Sequence, residues 1–146
     1  MRQRTVLLIA SNPREVQRTR RTFEQAGLHH ALRVVSDGEE ALDYLRREGV
    51  YTDPHQAPRP DVIVLDLPLP RLSGLELLQC LKQDQRLKLL PVIVLTTSIC
   101  PDEVRQVYAA GANAYLRKPA ECLRFTEVVG HLGRFWLETV ELPPDA

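Results

Sequence analysis

Asp66, Thr96 and Lys118 together make a kit for handling a phosphoryl group. A carboxylate can attack phosphorus to give an acyl phosphate, an ammonium can pair with phosphoryl oxygens, and a hydroxyl can hydrogen-bond one of them. Each residue alone has a plainer reading: an Asp that ends a strand, a Thr favoured by β propensity, a solvated Lys. Their placement joins them. Asp66 follows the run VIVL at 62–65, Thr96 follows VIVL at 92–95, and Lys118 follows AYLR at 114–117. Runs of β-branched residues and leucine of this length read as strands buried on both faces. In an open parallel sheet, ligands and chemistry sit at the C-terminal strand ends.

The elements that must position these residues alternate. Residues 5–10 (TVLLIA) form a buried-type strand, and Ser11-Asn12-Pro13 launches a helix with a capping residue and an N1 proline. Val16, Phe23 and Ala26 mark its inner face, and Gly27 stops it. A second strand at 32–35 precedes a helix capped by Asp37 with Glu40, which carries Ala41, Leu42 and Leu45 inward before Gly49. The polar, proline-containing connector at 51–60 reads as an irregular surface loop. After the Asp66 strand, bracketed by Pro60, Pro68 and Pro70, Ser73 with Glu76 forms a capping box. It starts a helix over about 74–83, with Leu75, Leu78 and Leu81 or their neighbours facing in. A strand at 92–97, a helix from Pro101 to Gly111, a strand at 114–117 and a long helix over about 121–137 complete the chain. Five strands alternating with five helices predict an α/β fold, a parallel sheet covered on both faces by right-handed crossovers. The ends of strands one, three, four and five, at Ala10-Ser11, Asp66, Thr96-Thr97 and Lys118, are expected to converge on one crevice.

Composition narrows the function. The 146 residues suit one domain with one core. Nineteen basic residues balance nineteen acidic ones, so no overall field draws in nucleic acid or an anionic membrane, and neither is an expected partner. The longest apolar runs are strand-sized, and the basic N-terminus turns polar too soon for a signal peptide or a span, so a cytoplasmic protein is expected. Cys80, Cys100 and Cys122 lack disulfide or zinc spacing and read as ordinary thiols. His29, His30, His55 and His131 lack ligand spacing and read as surface imidazoles.

The segments VLLIASNP, VIVLDLPLPRLSGLELL, PVIVLTTS and GANAYLRKP resemble the receiver domains of two-component response regulators, and they order nearly the whole chain except about the last twenty residues. Within that family the long connector, LTTS and the ending GRFWLETVELPP look most like single-domain regulators that partner phytochrome-type sensor kinases. The resemblance implies a flavodoxin-like doubly wound (βα)5 fold with strand order 2-1-3-4-5. By position, Asp66 matches the phosphoacceptor, Thr96 and Lys118 the phosphoryl-stabilising groups, and Thr96 with Tyr115 the switch pair. Lys118-Pro119 matches a cis peptide that aims the lysine inward. The implied protein accepts a phosphoryl group from a sensor histidine kinase on Asp66. It is not an enzyme beyond self-catalysed aspartyl phosphorylation and dephosphorylation.

The departure from the family lies after the first strand. Receivers carry two acidic residues there that help hold Mg²⁺, and this chain has Ala10 and Ser11. Asp66 and the Pro68 backbone carbonyl remain as metal donors, so Mg²⁺ is expected to bind weakly. The alternative function is a degenerate receiver, a phosphorylation-independent interaction module. A flavodoxin-like nucleotide-binding enzyme is the weaker choice, since neither GxGxxG nor GxxxxGK[ST] occurs.

The region 121–146 is read as an extended last helix and tail. Phe125, Val128, Val129 and Leu132 form a core stripe, whereas Phe135, Trp136 and Leu137 are consecutive and cannot all face inward. Phe135 and Trp136 are therefore expected on a homodimer or partner surface, with a tail folded back on its own domain as the other choice. The chain is too short for a DNA-binding output module, so the expected output is a protein surface.

Overall fold

The computed structural model describes residues 4–28 and 31–144; His29 and His30 lie outside the described residues. Five strands, β1 (Val6–Ile9), β2 (Leu32–Val35), β3 (Val62–Asp66), β4 (Val92–Thr96) and β5 (Ala114–Arg117), alternate with α1 (Pro13–Gln25), α2 (Gly38–Arg46), α3 (Gly74–Gln83), α4 (Pro101–Ala109) and α5 (Cys122–Arg134). All pairings are parallel and the order is β2-β1-β3-β4-β5, as expected.

Because successive side chains on a strand point to opposite faces, the central strands feed two cores. Leu7, Ile9, Ile63, Leu65 and Val94 pack with Tyr44, Leu77, Leu78, Leu81 and Val107 from α2, α3 and α4. Val6, Leu8, Val62, Val64 and Leu95 pack with Phe23, Phe125, Val129 and Leu132 from α1 and α5. The predicted inner face of α3 shifts by one contact, with Leu77 fully buried and Leu75 only half-buried.

The predicted caps are present. The Asn12 side chain accepts from the Arg14 and Glu15 amides, Asp37 accepts from the Glu40 amide, and Ser73 accepts from the Glu76 amide while donating to the Glu76 carboxylate. These satisfy amides that a helix start leaves without partners.

Two segments make contacts that their sequences do not announce. The connector is anchored: Tyr44 Oη donates to the Pro58 carbonyl at 2.7 Å, Tyr44 and Tyr51 rings meet at 5.2 Å, and Ala57 is 1 % exposed. Its composition could not reveal this, since the anchor is a tyrosine on α2. The C-terminal segment folds back in part. A π-helical turn (Phe135–Thr139) continues α5, Trp136 packs against the α1/α5 core, and Arg4 donates to the carbonyls of Trp136 and Val140 at 3.1 and 2.8 Å. Phe135 stays 49 % exposed. Among the described residues no helix is long and apolar enough to cross a membrane.

Candidate functional site

The register that pairs Ile9 with Leu65 and Asp66 with Leu95 brings the ends of β1, β3 and β4 level. Lys118 lies just past β5, where its amide donates to the Thr96 carbonyl at 2.7 Å. Its side chain therefore reaches along the sheet edge to Asp66. Lys118 Nζ meets Asp66 Oδ1 at 2.6 Å, with the two side chains 7 % and 5 % exposed. The pair predicted from spacing is a buried contact.

Two further groups complete the lysine's surroundings. Nζ donates to the Leu67 carbonyl at 2.9 Å and to Glu15 Oε2 at 3.0 Å, with Oε1 at 3.4 Å. The Leu67 loop approaches α3 so closely that a Cβ on Gly74 would stand 2.3 Å from Leu67 Cδ2. Glu15 is the member of this cluster that the sequence does not single out. It lies in the first turn of α1, where an acid is favoured by the helix dipole alone, so nothing local marks it. The available signal was an acid one turn into the helix that follows an acid-free β1 terminus.

Two carboxylates now face one ammonium. Burial, with the Glu15 carboxylate close beside it, pushes the Asp66 carboxyl up to about 7, against the opposing pull of Lys118. Burial disfavours the charged Lys118, but its contacts with Asp66 and Glu15 outweigh that and raise its pKa. The physical picture is a lysine that stays charged between two carboxylates while burial favours a proton on Asp66.

Thr96 and Tyr115 bond the loop that follows β4. Thr96 is buried at the end of β4, but its Oγ1 accepts from the Ser98 amide at 3.2 Å instead of bonding Asp66 or Lys118. Tyr115 is half-buried, and its hydroxyl donates to the Ser98 carbonyl at 2.9 Å. Ser98 also bonds Glu103. The expected cis peptide at Lys118-Pro119 is a correction: that bond is trans, and among the described residues the cis bond is Leu67-Pro68. Either isomer of a proline peptide differs from the other by only about 1 kcal/mol, so sequence does not fix the choice. Strand register and three acceptors aim Lys118.

The donor set does not fit a hard divalent cation that wants several oxygen ligands. Ala10 is buried and Ser11 is exposed, and neither brings a carboxylate. Asp66 and Glu15 are both engaged by Lys118. No three His, Cys, Asp or Glu side chains among the described residues cluster as metal ligands. Cys80 and Cys100 are free thiols, half-buried and exposed.

A family model described as "Response regulator receiver domain" matches residues 6–129. The chain is 35% identical over 140 residues to response regulator Rcp1 of Synechocystis sp., covering 96% of this chain and 93% of that protein. It superposes on the phosphorylated cyanobacterial phytochrome response regulator RcpA with a TM-score of 0.90 at 36% identity, over 98% of this chain and 100% of that one. The Mn²⁺-bound form of Rcp1 superposes with a TM-score of 0.87 at 35% identity, over 97% and 99% of the two chains.

Proposed function

The chain belongs to the response regulator receiver family of two-component signalling, close to phytochrome-associated members, and on that premise we propose that Asp66 accepts a phosphoryl group from a phytochrome-like sensor histidine kinase. The observation that carries this reading is the buried 2.6 Å pair of Asp66 and Lys118 at the C-terminal sheet edge. An Asp66 oxygen attacks phosphorus as the bond to the donor nitrogen breaks. The electron pair leaves on nitrogen, which takes a proton from solvent, and Lys118 stays beside the acyl phosphate as counter-ion. Thr96 reaches the phosphoryl group by releasing the Ser98 amide, and Tyr115 of β5, bonded to the same loop at the Ser98 carbonyl, carries the change outward. The only further chemistry is self-catalysed loss of that phosphoryl group. Asp66 and the Pro68 carbonyl would be the donors offered to Mg²⁺, and without an acidic pair beside them they would hold it weakly.

Output passes through a surface formed by α4, α5 and the last aromatic turn, as a homodimer or with a partner. The support is apolar exposure there: Leu123 is 72 %, Phe135 49 % and Tyr108 48 % exposed. We read the chain as a single receiver whose last helix, α5, runs on into a tail.

The test is intact-mass detection of phosphate after incubation with a phosphohistidine donor or phosphoramidate. One added phosphate is expected on the wild type and none on Asp66→Asn. Labelling of the variant at the wild-type level would remove Asp66 from the assignment. A second reading, constitutive binding without phosphoryl chemistry, is favoured by two observations: Lys118 already has three oxygen partners and Tyr115 already bonds the β4–α4 loop.

A further inference from the structure

An ammonium has three N–H donors, and Lys118 spends all three on Asp66, the Leu67 carbonyl and Glu15. These acceptors are not equivalent. Asp66 is fixed at the end of β3, and the Leu67 carbonyl is backbone. Glu15 is a helix side chain with three rotatable bonds, held to the site by that contact. It is also the outermost member, its side chain 20 % exposed against 5 % for Asp66 and 7 % for Lys118. Glu15 therefore stands on the solvent side, the direction from which a phosphodonor arrives, and is the ligand that Lys118 can exchange at least cost.

We propose that Glu15 is a carboxylate gate: it occupies the third donor of Lys118 in the resting protein and must yield that donor to the oxygens of an arriving phosphoryl group. Its negative charge sits where the incoming dianion must approach, so it slows arrival by repulsion as well as by occupancy. The acidic position one turn into α1 thus has a different sense from the absent pair after β1. It lies on the lysine and acts through it, as a positioning residue. This inference rests on Asp66 as phosphoacceptor, and the experiment separates the two.

Glu15→Gln keeps the size of the side chain and removes its charge. Two measurements are compared in wild type and variant at fixed magnesium: the initial rate of Asp66 labelling by phosphoramidate, and the binding of sulfate, a tetrahedral dianion that needs no chemistry, followed through the Lys118 and Thr96 amide signals in NMR. The variant should label about tenfold faster and bind sulfate about tenfold more tightly, the scale of removing one nearby like charge. A purely structural role for Glu15 would shift stability and leave sulfate affinity unchanged. Unchanged sulfate affinity overturns the gate, as does labelling that is equal or slower when the wild type is labelled; slower labelling would make Glu15 a helper of the reaction. If neither protein is labelled while the variant gains sulfate affinity, the gate stands and the phosphoacceptor reading falls.

Discussion

At the residue scale, Asp66 carries a cost that pH exposes. Its carboxyl is raised from 3.8 to about 7 by burial and by Glu15, so between those values the folded protein holds a proton that the unfolded chain has released. Stability falls with rising pH wherever the folded state binds more protons. The Asp66 contribution is therefore complete below pH ~4 and lost as pH rises through ~7. Asp66→Asn removes the titrating group. Its melting temperature relative to wild type should climb between pH 4.5 and 7.5 and level off above. A constant difference across that range, measured calorimetrically, would show that Asp66 titrates at an ordinary value.

At the element scale, the turn after α5 divides its aromatics between two jobs. Trp136 packs on the α1/α5 core and its carbonyl is held by Arg4, whereas Phe135, 5.6 Å away in a T-shaped pair, points to solvent. Trp136→Ala should cost roughly 2 kcal/mol in denaturant unfolding, since it opens packed volume. Phe135→Ala should change stability by less than about 0.5 kcal/mol and move a dimeric wild type toward monomer in sedimentation. A monomeric wild type at high concentration would refute the dimer, and an equal stability loss for both variants would refute the division of labour.

At the scale of the whole molecule, the site is a product of sheet order. Placing β1 and β4 on either side of β3 surrounds Asp66 with the ends of both, so the charge at the end of β1 sets the field in the crevice. With Ala10 and Ser11 there, that end is neutral. Restoring the pair with Ala10→Glu and Ser11→Asp should raise Mn²⁺ affinity by about tenfold or more in a paramagnetic titration, because a hard cation gains two carboxylates. Equal affinity for wild type and restored variant would mean that the pocket needs no such pair.

The strands, their ends and the order of elements are written locally in the chain. Runs such as VIVL at 62–65 and 92–95 fix buried strands locally, and a parallel α/β chain has few ways to connect them. Asp66, Thr96 and Lys118 were legible because each stands where such a run stops. Tertiary structure alone decided what those side chains touch. Glu15 meets Lys118 across 103 residues and the Leu67 carbonyl meets it across 51. In sequence one is an ordinary helix-start acid and the other a featureless backbone group. The division between Trp136 and Phe135 was settled the same way, by packing between distant elements, since two adjacent aromatics carry no local mark of which one is buried.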